Sequence, residues 1–458
     1  MDKYDFAVVG NGAIGTFTAI KLKQSFPEMS VALIGNAHHA DSASIAAGAM
    51  IAVYAEMEEC SPEQIDTQRR YLKIGKDSSA GWLDFLSKSG GLEAITAKDT
   101  LVFLKTDHSK FELANFNTVK KTLDQDGRSV RPANLAWLEE RQNIQEVFRI
   151  DGEFAVCPIA LFKHFTKLMK DLGVQVIPDD VSDLNLDANI ITLEKSDIKI
   201  EFSKLVVAAG AQTGNILKGD PILPMLQGVG TAITIDNNAD TEGFSNHVVR
   251  TVNRGGAQCG IHVVPRSDGT IYLGAGNYVS RPGPAAHRLD TVSYLLSTLE
   301  RDLLNRTVVY KFTGDFLIGM RPRSIDGFPI IGAMSVFENV FVATGTNRLG
   351  LTWAPRIADQ VIAWANESKL DAEFLGWEPN RFPLTYGTVE NAINYYVESR
   401  ISNACEHGLS GSTLRELNEM NIHFTKVAES LLTNIQNKFP KYRDIVLHPD
   451  NWAALLTN

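Results

Sequence analysis

Residues 5–22 read Asp-Phe-Ala-Val-Val-Gly-Asn-Gly-Ala-Ile-Gly-Thr-Phe-Thr-Ala-Ile-Lys-Leu, an apolar run, a glycine turn and an amphipathic stretch in direct succession. Residues 6–9 have the continuous apolar character of a buried strand, and Ile14, Phe17, Ala19, Ile20 and Leu22 supply an apolar helical face. Between them Gly10, Gly12 and Gly15 keep the G-x-G-x-x-G spacing. Gly10 permits the sharp turn, Gly12 puts no side chain between backbone and pyrophosphate, and Gly15 lets helix and strand pack closely. The helix then starts at Ala13 and Ile14 with free N–H groups and its positive dipole end aimed at phosphate. A glycine turn in any α/β domain would give the spacing alone. Strand before and helix after point to dinucleotide binding in an α/β fold.

The rest of that fingerprint is incomplete. A second strand is expected over residues 31–34, and the position that should carry an acidic residue for the ribose is Gly35, followed by Asn36. Asn36 can accept from a ribose hydroxyl through its amide oxygen, and no nearby arginine favours a 2′-phosphate, so the pattern fits FAD better than NADP.

Composition narrows the class. With 458 residues and 44% hydrophobic content the chain can bury two or three domains. A net charge of −10 with no long basic run argues against nucleic acid as a partner. Cys60, Cys157, Cys259 and Cys405 lie far apart, without metal-ligand spacing, and read as free thiols in a reducing compartment. The first strand begins too close to Met1 to leave room for a signal peptide, and no apolar run approaches the ~20 residues of a membrane span. These features together lead to the expectation of a cytoplasmic protein.

After the second strand comes Asp41-Ser42-Ala43-Ser44-Ile45-Ala46-Ala47-Gly48-Ala49-Met50-Ile51, whose small side chains let backbone approach a flat ligand, and then Ala55-Glu56-Met57-Glu58-Glu59. Taken by itself the run reads equally as a helix start capped by Ser42 or Ser44. In combination these segments resemble the glycine-oxidase branch of the D-amino-acid oxidase superfamily, flavoenzymes that oxidise amines and amino acids. The resemblance implies that Ser44, Ala47, Gly48 and Met50 pass beside the flavin.

Further along, helices are expected around Leu72, Trp82, Phe85 and Leu86, over 111–123 and over 159–172, the last introduced by Asp151-Gly152 and Cys157-Pro158. Short strands are expected at 101–104, 174–177, 190–193, 198–202 and 205–207. The last runs into Ala208-Ala209-Gly210-Ala211, where the resemblance implies a second backbone approach to the dinucleotide at Ala209 and Gly210, with Val176 nearby. Residues 228–235, 247–252, 260–264 and 270–274 alternate as an antiparallel sheet with a hairpin turn at Arg266-Ser267-Asp268-Gly269, and a helix is expected over 289–304.

Gly319-Met320-Arg321-Pro322-Arg323-Ser324-Ile325-Asp326-Gly327-Phe328-Pro329-Ile330-Ile331-Gly332 is followed by a strand at 340–343 and by Thr344-Gly345-Thr346-Asn347-Arg348-Leu349-Gly350-Leu351-Thr352. A strand leading into a helix at this point makes a second set of unpaired N–H donors, suited to charge on a reduced flavin. Arg321 offers a planar fork for a substrate carboxylate, and Arg348 would lie near the ring or support the same pocket. The plain alternative is two surface arginines paired with Asp315 and Asp326. The resemblance places Gly319, Arg321 and Thr346 through Thr352 at the flavin, with His262 standing where glycine oxidases carry a pocket tyrosine. Thr346 replaces the family's frequent histidine, and Met320 and Ile45 stand at the positions used for covalent attachment, so non-covalent FAD is expected.

The resemblance covers about residues 4–365. Beyond it Pro379, Pro383 and Gly387 mark a linker, then Ile393, Tyr396, Val397 and Ile401, and Phe424, Val427, Leu431 and Ile435, fall at helical spacing. Such stripes suit core packing, or a helical cap that closes the pocket or joins subunits. The expected architecture is a Rossmann-like FAD-binding domain (1–60, 150–220, 314–365) interleaved with an antiparallel-sheet α+β substrate domain (61–149, 221–313), plus a helical extension (366–458). The expected activity is oxidation of an amino acid or secondary amine at the C–N bond, with dioxygen or another electron acceptor. An NAD(P)H-dependent hydroxylase and a non-catalytic flavin-binding assembly subunit are the alternatives, and a homo-oligomer is compatible with either.

Overall fold

The computed structural model describes residues 1–36, 42–133, 144–218, 222–236, 246–255, 259–298, 314–406 and 414–457. Asp41 and the 299–304 end of the expected helix lie outside them, as does the side chain of Cys405.

One sheet has the order β16 (Ile330–Ala333), β17 (Val340–Thr344), β10 (Lys199–Val207), β1 (Asp2–Val9), β2 (Val31–Ile34), β7 (Gln175–Ile177). Pairing is parallel from β17 to β7, and the edge strand β16 runs antiparallel to β17. Strands flanked on both faces read as unbroken apolar runs, and all residues of β2 and β17 are buried. The hairpin β8 (Val181–Asn185) and β9 (Ile190–Leu193) extends β10. On one face pack α1 (Ala13–Ser25), α2 (Ile65–Ser89), α4 (Pro158–Leu172) and α7 (Gly350–Ala365). Phe17 of α1 meets the Trp82 ring edge-on at 4.9 Å, and the Trp82 indole N–H donates to Leu351 O at 3.0 Å, which locks α2 against α7.

The second sheet has the order β15 (Gly314–Ser324), β11 (Met225–Asp236), β14 (Thr270–Ser280), β13 (His262–Pro265), β12 (Val248–Arg250), β4 (Ile95–Lys105), β6 (Ile144–Val156), β3 (Met50–Ile51), with β5 (Arg131–Pro132) on β6. It is antiparallel except where β12 meets β4. Outside it lie α3 (Lys110–Gln125), started by a capping box between Ser109 and Glu112, and α6 (Leu289–Thr298); the short α5 (Thr213–Ile216) follows β10. The hairpin turn forms as its sequence asks, with Asp268 accepting from Thr270 N at 2.9 Å.

Four expectations change. Residues 199–207 are one strand, because Phe202 and Lys204 stay in register with Tyr4 and Phe6 of β1. Asp151-Gly152 belongs to the long β6, where Gly152 takes φ +84° without ending the strand. The 314–324 segment pairs along its whole length with β11, so the strand bearing Arg321 belongs to the second sheet and not to the parallel one. Helix α2, grouped with the substrate domain, packs on α7 beside the parallel sheet.

The extension comprises α8 (Val389–Glu406), α9 (Leu414–Lys438) and α10 (Trp452–Leu456), around a core in which Tyr396 stacks on Trp452 at 5.7 Å. Its inner face on α9 is Ala428, Leu432 and Ile435, with Val427 and Leu431 at the margin. Arg323, two residues beyond Arg321, is clamped by the extension through Asn451 Oδ1 at 2.6 Å and Asp450 Oδ2 at 3.0 Å. No helix among the described residues is long and apolar enough to cross a membrane.

Candidate active site

A cavity of about 630 Å³ runs between the two sheets. It opens on the N-termini of both α1 and α7. Gly10 has φ +106°, and a Cβ there would lie 2.3 Å from Ala208 O, while one on Gly15 would lie 1.8 Å from Gly10 O. Neither position admits a side chain, so the turn brings β1, β10 and α1 together with Gly12, Ala13 and Ile14 on the cavity wall. Ala13 N donates to Ser44 Oγ at 3.0 Å, whereas the N–H groups of Ile14 and Gly15 find no partner among the described residues. Ser44 therefore caps α1 from outside the helix, and neither serine starts a helix of its own. Ser44→Ala is expected to cost about 1 kcal/mol in urea unfolding of the apoprotein; an unchanged midpoint would show that this bond contributes nothing.

The small-residue run forms the next wall. Tyr272 OH donates to Ala46 O at 3.1 Å and Arg266 Nη2 to Ala47 O at 3.3 Å, while a Cβ on Gly319 would lie 2.9 Å from Ala46 Cβ. Ala47, Gly48 and Met50 thus line the cavity pressed against the second sheet. Ala209 and Gly210 line it from β10. Opposite, Asn347 holds φ +49° through N–H donation to Pro322 O at 2.8 Å. The N–H groups of Gly350, Leu351 and Thr352, together with the buried Thr346 Oγ1 and Asn347 Oδ1, have no partner among the described residues. Two helix N-termini that keep unpaired N–H groups among the described residues, a turn that excludes side chains and orphaned buried polar atoms suit a long polyanionic cofactor such as FAD.

At the far end Asn36 lines the cavity and donates to Asp180 Oδ2 at 3.0 Å. Val176 does not line it. That residue is exposed on the edge strand β7, and the wall is made by Asp179, Asp180 and Val181 just after it.

At the other end stand Arg321, His262, Tyr272 and Cys259. His262 Nδ1 donates to Gly260 O at 2.9 Å and its ring stacks on Tyr272 at 5.6 Å. Burial, reinforced by Arg250, pushes its pKa down to about 3, so Nε2 is an unprotonated acceptor at neutral pH. The Arg321 guanidinium lies over Gly230, where a Cβ would come within 2.6 Å of Nη2. Its Nη1 is buried, and no carboxylate among the described residues pairs with it.

Arg348 also lines the cavity but is already engaged, with Nε 2.7 Å from Glu56 Oε2 and Nη2 bonded to Glu58. Glu56 binds Arg250 Nη1 at 2.6 Å through its other oxygen. Burial would raise the Glu56 pKa, but Arg250 and Arg348 bring it down to about 2. Surface pairing with Asp315 or Asp326 does not occur for either arginine; Asp326 is bound by Arg381 at 2.9 Å. Glu56, Tyr272, Cys259, Asp179 and Asp180 line the cavity without having been assigned from the sequence, and Arg250 and Glu58, equally unassigned, hold Glu56 and Arg348. Among the described residues none beyond Thr352 lines the large cavity, so the described part of the extension does not close it; Tyr386, Tyr395 and His448 instead wall a smaller hollow of about 140 Å³ behind Arg348.

The family model described as FAD dependent oxidoreductase matches residues 5–364. Glycine oxidase of Bacillus subtilis (strain 168) is 22% identical over 366 residues, covering 77% of this chain and 90% of the relative. The crystal structure of glycine oxidase from Geobacillus kaustophilus superposes with a TM-score of 0.69 at 18% identity, over 83% of this chain and all of that one. L-alpha-glycerophosphate oxidase from Mycoplasma pneumoniae, a structure with FAD bound, gives 0.64 at 18% identity, over 83% and 99%.

Proposed function

Because the chain belongs to the FAD dependent oxidoreductase family, we propose that it oxidises the C–N bond of a small amino acid or carboxylate-bearing secondary amine to an imine, which then hydrolyses. Bound FAD, held by the α1 and α7 N-termini, supplies the two-electron acceptor. The observation that carries the substrate class is Arg321, a buried guanidinium with an unused Nη1 at one end of the cavity. It would hold the carboxylate bidentately and fix which face of Cα is presented. His262 Nε2, unprotonated, would accept from the substrate N–H, which favours the neutral amine. Arg348, neutralised by two glutamates, keeps the wall in place and does not bind substrate.

Met320 and Ile45 offer no nucleophile for covalent attachment, so acid precipitation of the yellow protein is expected to release FAD. Anaerobic titration with amino acids and secondary amines is expected to bleach the visible flavin spectrum, whereas bleaching by NAD(P)H alone would favour a hydroxylase and sink this reading. Re-oxidation with air or with an artificial acceptor then separates oxidase from dehydrogenase. A cytoplasmic setting suits the scattered cysteines and a small-molecule substrate.

A further inference from the structure

The ribose of a dinucleotide is ordinarily held by an acidic residue at the end of the second strand. In this chain that position is Gly35, and there is a steric reason for it. A Cβ on residue 35 would lie 2.4 Å from Asn11 Cγ and 2.6 Å from its Oδ1. The Asn11 carboxamide fills the space, with Nδ2 donating to Asn36 O at 2.8 Å. Beside it β7 runs parallel to β2, pairing Ile34 with Ile177, and Gly35 N donates to Ile177 O at 3.2 Å. The turn that leaves β7 therefore arrives next to the end of β2.

That turn brings two carboxylates, and their bonding distinguishes them. Asp179 accepts from Asp180 N at 2.8 Å, Lys195 N and Ser196 N at 3.0 Å, and Ser196 Oγ at 2.8 Å. Desolvation opposes it, but these donors hold its pKa below the usual range, and none of its capacity is left for a ligand. It is the buttress of the turn. Asp180 faces the cavity with Oδ2 taken by Asn36 Nδ2, while Oδ1 accepts nothing among the described residues.

We infer that Asp180 is the ribose-binding acid of this chain, relocated from the end of β2 to the turn after β7, and that Asn11 and Gly35 are the paired changes that accompany the relocation. The inference rests on FAD binding and is independent of the substrate assignment. Asp180 accepts from the adenosine 2′-hydroxyl, Asn36 orients the carboxylate, and the negative charge disfavours a 2′-phosphate even with Lys195 Nζ at 3.8 Å from Oδ2.

The test is flavin-fluorescence titration of apoprotein with FAD and with FAD lacking the adenosine 2′-hydroxyl. A charge-assisted hydrogen bond lost from a partly exposed site corresponds to about a 10- to 100-fold weaker Kd for Asp180→Ala with FAD. Wild type is expected to show a similar loss with the deoxy analogue, and Asp180→Ala no further loss. Asp180→Asn, which keeps the fold of the turn and an acceptor oxygen, is expected to fall between. Equal FAD affinity for wild type and Asp180→Ala, or undiminished discrimination against the analogue in that variant, would overturn the inference. Failure of wild type to bind FAD at all would instead remove the cofactor assignment.

Discussion

Glu56→Ala is expected to lower the unfolding free energy by about 3 to 5 kcal/mol, because it leaves two buried guanidinium groups without their shared partner. Arg250 is fully buried at 0%, and the Glu56 and Arg348 side chains are only 11% and 19% exposed. Arg250 would retain Asn253 Oδ1 and the Thr251 carbonyl, and Arg348 would retain Glu58, so neither loses every bond, but both lose compensating charge. Glu56→Gln keeps the size and an acceptor and should fall between wild type and alanine. The pH dependence has a definite sign. The Glu56 pKa falls from an ordinary 4.5 to about 2 on folding, so its stabilisation is complete above pH 4.5 and is lost as the pH drops toward 2. Urea unfolding of both proteins across that window should show the difference narrowing with acid. Equal midpoints at pH 7 would mean that the bridge adds nothing beyond what packing supplies.

This bridge also shows where reading the sequence stops. Glu56 stands 194 residues from Arg250 and 292 from Arg348, and no local pattern announces that three elements meet there. The glycine turn was legible for the opposite reason. Gly10 and Gly15 are forced by contacts within a few positions of themselves and by one neighbouring strand, so their spacing survives in the chain as a motif. The small-residue run was legible as a wall, but its alternative reading as a capped helix start failed because the Ser44 hydroxyl is engaged by α1. Local polarity misled at Asp151-Gly152, where a positive-φ glycine lies inside β6, and at 314–324, whose pairing with β11 is a matter of topology. Val176 and Asp180 make the same point at the cofactor's adenosine end. The strand was identified correctly, but the wall is made by the turn after it, and a carboxylate supplied by that turn leaves no trace at the position where the fingerprint looks.

The second large effect concerns Arg321. Arg321→Ala is expected to leave the fold and FAD retention intact, since no ion pair among the described residues depends on it, yet to weaken carboxylate substrates or inhibitors by about 2 to 5 kcal/mol. The loss is large because the bound carboxylate would stay desolvated with no partner. Arg321→Lys restores charge without the planar fork and should recover only part. A separate variant tests geometry with the charge untouched. Gly230→Ala places a methyl 2.6 Å from Nη2, and since the obstructed atom is the far end of a flexible side chain, the guanidinium should swing aside with little effect on stability. Carboxylate affinity should nevertheless fall. The measurement compares an amino acid with its decarboxylated amine on wild type and all three variants, by steady-state kcat/KM. The amine should be nearly indifferent throughout. If amine and amino acid lose equally, Arg321 acts on the flavin or on β15 itself, and the substrate class widens to amines without a carboxylate.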